Sequence, residues 1–177
     1  MPSDKVLSDF YSRFHMELVE GGGYELIEGR MSADIQAKIA KINTVFPDAK
    51  AHILDVGCGK GFFVKACQDA GYEADGIDLS DTAIAFARTK FNVHAVCGKI
   101  EELPASMGPY DAITLWATIE HLPDPLTTIS AIKKALKPGG FLFMDTGLGH
   151  DWLDRLLPGF VQWYDPPQHL FVFSKES

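Results

Sequence analysis

The stretch ILDVGCGKGFF, residues 53–63, holds the first residues able to do chemistry: a carboxylate, Asp55, closes an apolar run, and Gly57, Gly59 and Gly61 follow in alternation around Cys58. Alternating glycines let a strand turn tightly into a helix, and they let a ligand approach the backbone with no Cβ in the way. A side chain at Gly57 or Gly59 is therefore expected to fill the ligand's space while leaving the chain folded. The spacing is not the GxGxxG of a dinucleotide fingerprint, and an acid at this point sits badly beside a pyrophosphate. It is well placed to accept hydrogen bonds from an amine or, through water, from a cationic amino-acid tail. A turn needed for packing alone is the plainer alternative. A second acid, Asp78 in GIDLS, stands close to the roughly 20-residue offset at which a carboxylate meets ribose hydroxyls in nucleotide-binding α/β domains. Capping of the next helix is its other reading, although Ser80 and Asp81 are better placed for that.

A third chemical group lies in IEHLPDP, where His121 is a natural base near neutral pH and Glu120 stands beside it to orient it. The same residues could simply shape a turn. His169, in PPQHLFVFS, is a second candidate base. Glu120 and His121 alone do not fill a metal's coordination shell, and Cys58, Cys67 and Cys97 show no CxxC spacing, so neither a metal nor a disulfide framework is expected.

These residues need a scaffold that brings strand ends together. Strand and helix signals alternate from Ala51: strands near AHILDV, EADGID, VHAVC, YDAITLWA and FLFMDT, and helices near FFVKACQDA, DTAIAFARTK and PLTTISAIKKAL, the last closed by KPGG. Repeated strand then helix implies a doubly wound α/β fold with a mainly parallel sheet covered on both faces, whose ligands sit beyond the carboxyl ends of the strands. Before it, MSADIQAKIAKINTVF spaces Ile35, Ile39 and Ile42 as one face of a helix, with Ser32 as its expected N-cap and Pro47 ending it. Gly21, Gly22 and Gly23 read as a flexible turn. The expected organisation is an N-terminal helical cap over residues 1–50, a binding core over 51–146 and an aromatic C-terminal lid over 147–177.

Composition narrows the function. The chain has 177 residues, 46% hydrophobic and 23% charged, with a net charge of −8. That acidity disfavours nucleic acid and anionic membranes as partners, because both are held by clustered Lys and Arg. The N-terminus lacks the apolar core of a signal peptide and no run has membrane-spanning length, so a cytoplasmic protein working on small molecules is expected.

ILDVGCGKGFF, GIDLS, GKIEELP, YDAITLWATIEHLPDP and LKPGGFLFM, in this order, resemble the successive motifs of the class I S-adenosylmethionine-dependent methyltransferases. The likeness runs from about Ala51 to Asp145. It implies that Asp55 and the loop Gly57, Cys58, Gly59 and Gly61 line the methionine part of S-adenosylmethionine. It further implies that Asp78 with Leu79 holds the ribose, that Ile100 and Glu101 lie beside the adenine, and that Leu115, Trp116 and Ala117 wall the site. Lys99 departs from the family, which often has an acid there, and LWAT after the fourth strand is unlike the NPPY tetrapeptide of enzymes acting on exocyclic base nitrogens. The implied activity is methyl transfer to an oxygen, nitrogen or carbon of a small-molecule acceptor, with S-adenosylhomocysteine as product. The alternatives are an inactive cofactor-binding fragment or domain of a larger methyltransferase and, against the glycine spacing, an NAD-dependent oxidoreductase.

The tail DWLDRLLPGFVQWYDPPQHLFVFSKES is rich in aromatics that either cover an acceptor pocket or form a core for a lid. The family's sheet continues for two strands beyond FLFMDT, and Ser174 looks like the N-cap of a helix whose body is absent. The chain is therefore expected to lack the last two strands, and the exposed edge to be covered by the tail from Asp151 or by a second copy in a homodimer.

Overall fold

The computed structural model describes residues 5–7, 9, 10, 13, 24–147 and 169–174, with the side chains of 24–31 excepted. Five parallel strands form one sheet: β1 (His52–Val56), β2 (Glu73–Asp78), β3 (His94–Cys97), β4 (Tyr110–Trp116) and β5 (Leu136–Asp145), in the order β3-β2-β1-β4-β5. The strand order reverses between β1 and β4, which makes the crevice above their carboxyl ends the place for a ligand. Helices α1 (Tyr24–Val45), α2 (Phe62–Asp69), α3 (Asp81–Phe91) and α4 (Pro125–Ala135) supply the outer layers.

Alternation along the strands sends side chains to two cores. On one face Ile53, Ala74, Ala95 and Ala112 meet Ile39 and Ile42 of α1, Val64 and Cys67 of α2, and Ile84 and Ala87 of α3. On the other, Leu54, Ile77, Tyr110, Ile113 and Leu115 meet Ile132 of α4. The doubly wound architecture expected from the sequence is the one observed. Each fully buried Ile or Leu stabilises the fold by about 1.5–3 kcal/mol relative to exposure, so α1, with Ile42 wholly buried, is firmly docked on the sheet.

Helix starts follow local chemistry. Ser80 Oγ accepts from Ala83 N–H at 3.1 Å to open α3, and Asp124 accepts from Thr127 N–H at 3.1 Å ahead of Pro125 to open α4. Two boundaries differ from expectation. Ser32 is not an N-cap, because α1 already begins at Tyr24; the packing of one long helix overrides a local cap signal. KPGG does not precede the last strand but lies inside it, as an irregularity where two steps along β4, Tyr110 to Ala112, match five along β5, Leu136 to Phe141. Gly21–Gly23 and most of the aromatic tail lie outside the described residues. No helix among the described residues is long and apolar enough to cross a membrane.

Candidate active site

The carboxyl ends of β1, β2 and β4 border a cavity of about 430 Å³. Gly57 and Gly59 reach it from the loop after β1, and Asp78 and Leu79 from the end of β2. Ile100 and Glu101 reach it from a 3-10 turn after β3, and Ala117, Thr118 and His121 from the segment after β4. Asp78 is held by the backbone: Oδ2 accepts from Gly59 N–H and Oδ1 from Ser80 N–H, each at 2.8 Å. Each oxygen keeps a further lone pair for a hydroxyl. Glu101 is fixed by a hydrogen bond from the Thr128 hydroxyl.

Asp55, the β1 residue before the cavity-lining Val56, does not itself border the cavity, and it is the electrostatic anomaly of this strand end. It is 5% exposed, and its single side-chain hydrogen bond among the described residues comes from Thr114 Oγ1 at 2.6 Å. Burial pushes its pKa up to about 7; the Thr114 bond and the Lys38 ammonium pull the other way, while Asp78 and Asp145 add repulsion. A carboxylate left so poorly compensated favours a cationic group arriving beside it.

Other residues singled out by sequence serve the frame. Leu115 is fully buried in the core, and Trp116 packs edge-on against Phe63 at 5.6 Å with the Lys38 ammonium 5.0 Å from its ring. Gly61 has φ +76°, and a Cβ there would stand 2.8 Å from the Cβ of Ala87, so this glycine lets α2 approach α3. Cys58 packs its sulfur where a Cβ on Gly76 would come within 2.6 Å. Gly57 corrects an expectation: a Cβ there would lie 2.5 Å from Thr118 Oγ1, so a side chain at Gly57 disturbs the protein's own turn before it meets any ligand. Thr118 itself carried no signal in the sequence; its importance arises only from the pairing of β1 with β4.

Glu120, His121 and His169 come together although His169 is distant in sequence. The N–H groups of Leu170 and Phe171 both donate to the Glu120 carbonyl, at 2.8 and 3.1 Å, and this docks the C-terminal segment on the turn Ile119–His121. The imidazoles of His121 and His169 stack with centroids 4.9 Å apart and planes 29° apart. The Glu120 carboxylate is buried beside them, with Oε2 making no hydrogen bond among the described residues, and one ligand atom from each of the three lies within 4.8 Å of the others. A metal lies in the plane of each imidazole that binds it, and nearly parallel rings do not converge on one ion.

Comparison with known proteins agrees with this geometry. A family model described as a methyltransferase domain matches residues 27–177, and the chain belongs to that family, with the Rossmann-like fold of class I S-adenosylmethionine-dependent methyltransferases. It is 38% identical over 116 residues to a ubiquinone biosynthesis O-methyltransferase of Hydrogenovibrio crunogenus, covering 62% of this chain and 47% of that protein. A protein of the same description from Bordetella avium is 33% identical over 147 residues, covering 71% of this chain and 60% of that one. The chain thus spans about half the length of the curated relatives it matches. Among solved structures, the S-adenosylmethionine-bound amino pentose methyltransferase CalS10 of Micromonospora echinaspora superposes with a TM-score of 0.56 at 25% identity, covering 64% of this chain and 50% of that one.

Proposed function

We propose that this chain methylates a hydroxyl of a small organic acceptor with S-adenosylmethionine, using His121 as general base. The observation that carries the reading is the convergence, at one end of the sheet, of a cofactor-sized cavity and the cluster of His121, Glu120 and His169, of which His121 borders the cavity. The cofactor fits the residues present: Asp78 offers a fixed pair of acceptors for a ribose diol, and the buried, under-compensated Asp55 suits an α-ammonium group. The acidic surroundings of Asp55 and Asp78 attract a cationic ligand.

S-adenosylmethionine, when bound, supplies an electrophilic methyl group on a sulfonium. Direct displacement at that carbon needs alignment above all, and a base only when the nucleophile carries a proton. An acceptor hydroxyl at His121 would give its proton to the imidazole as its oxygen becomes the nucleophile, and the bound sulfonium would supply the methyl group and leave as a neutral thioether. Glu120 stabilises the resulting imidazolium, and His169, stacked on the ring, fixes its orientation. The relatives named as ubiquinone biosynthesis O-methyltransferases support an oxygen nucleophile, and the acceptor taken here is a hydroxylated small molecule such as a phenol.

The experiment is transfer of an isotopically labelled methyl group from S-adenosylmethionine to a panel of phenols and amino sugars. Labelled phenol ethers are expected, with the rate falling at least a hundredfold in His121→Asn while S-adenosylhomocysteine binding stays within threefold. Unchanged turnover in His121→Asn would remove histidine from the role of base, and labelled amines without labelled ethers would overturn the hydroxyl assignment.

A further inference from the structure

The residue after β4 that borders the cavity, Ala117, has φ +46°, a left-handed conformation that a non-glycine residue adopts only when its surroundings impose it. The imposing contact is visible. Ala117 N–H donates to Asp145 Oδ1 at 2.7 Å, from the last residue of β5, and the register pairs Trp116 with Asp145. The other Asp145 oxygen lies 3.6 Å from Lys38 Nζ, which also meets Asp34 at 2.7 Å and stands over the Trp116 ring. Helix α1, strand β5 and the end of β4 are thereby joined through one carboxylate.

Resting on the cofactor reading above, we infer that Asp145, backed by Lys38, is a positioning residue that holds Ala117 in its left-handed turn and so sets the stretch of cavity wall that runs from Ala117 to His121. The neighbouring contacts transmit any relaxation of this turn. Thr118 Oγ1 donates to the Trp116 carbonyl at 3.0 Å, and the Thr118 side chain occupies the space beside Gly57 that no Cβ could share. If Ala117 relaxes to negative φ, Thr118 moves against the glycine loop and His121, four positions on, moves with it. The ligand site then loses shape although none of its own residues has changed. Asp145 itself is partly exposed and does not border the cavity, so its effect has to pass through Ala117.

The test is a double-mutant cycle on S-adenosylhomocysteine affinity, measured by calorimetry with the whole chain. Asp145→Ala is expected to weaken binding about tenfold and Asp145→Asn, which keeps an acceptor oxygen without the charge, by less. Glycine adopts positive φ without help, so in the Ala117→Gly background the loss caused by Asp145→Ala is expected to shrink below threefold. A merely structural role would give the same loss in both backgrounds, and that result overturns the inference; so does wild-type affinity in both Asp145 variants. If Asp145→Ala fails to fold, the cycle is run with Asp145→Asn and read the same way. Absence of binding by the wild-type chain would contradict the cofactor reading instead, and the cycle read in thermal midpoints still decides the clamp: rescue by Ala117→Gly supports it and equal losses overturn it.

Discussion

Two buried aspartates on neighbouring strands, Asp75 of β2 and Asp55 of β1, have opposite fates. The register sets Asp75 opposite Leu54 and Asp55 opposite Gly76, one step apart and on opposite faces of the sheet. Asp75 is surrounded by donors from the first residues of three strands: His52 Nε2 and His94 Nδ1 at 2.8 Å, and the Tyr110 hydroxyl at 3.0 Å. Asp55, toward the carboxyl ends, has one hydrogen-bond partner among the described residues, Thr114, with the Lys38 ammonium adding its attraction. A carboxylate given three partners serves to join β1, β2, β3 and β4; one given a single partner and then buried costs stability unless something else arrives. The contrast locates function without reference to any relative, because a fold retains an uncompensated charge only where another demand outweighs stability.

The sharpest way to break this contrast is to neutralise Asp55. Its folded pKa, about 7, lies above the usual 3.8, so the stability it contributes below pH 3.8 is lost as pH rises to 7. Asp55→Asn is therefore expected to stabilise the ligand-free chain by up to about 4 kcal/mol at pH 8, with the gain fading toward pH 4, as read by chemical denaturation at each pH. The same experiment on Asp75→Ala should give the opposite sign: a loss of about 3 kcal/mol, because the partly buried His52 and the fully buried Tyr110 lose their polar partner. A stabilised Asp75→Ala would erase the distinction between the two sites. Smaller in free energy but specific to the ligand, Asp78→Ala is expected to weaken S-adenosylhomocysteine binding by roughly 1.5–3 kcal/mol, the worth of a hydrogen bond to a charged group; unchanged affinity removes the ribose role. Smallest of all, His94→Gln should cost well under 1 kcal/mol, since that imidazole is largely exposed.

The contrast also marks what sequence could and could not reveal. The strand EADGID and the helix from Asp81 were legible because a parallel sheet needs alternating apolar strands and crossovers, and because Ser80 is a strong cap. Asp55 and Asp78 were legible as acids at strand ends. Asp75 was not, although it stands in the same run, since its partners come from His52, His94 and Tyr110 and meet only through strand register. The same limit hid Thr118 against Gly57, Asp145 on Ala117 and the stacking of His169 on His121. Ser32 misled because a cap signal inside a long amphipathic helix has no consequence once Ile39 and Ile42 are docked.

The central claim, that Asp55 is left uncompensated for a cationic cofactor group, is tested most directly by calorimetric titration of S-adenosylhomocysteine between pH 5.5 and 8.5 in buffers of differing ionisation enthalpy. Below pH 7 the ligand's α-ammonium must expel the proton on Asp55, so affinity is expected to rise with pH, level off just above 7, and be accompanied by proton release that disappears in Asp55→Asn. Affinity independent of pH in the wild-type chain, or a pH dependence that survives unchanged in Asp55→Asn, would contradict the claim.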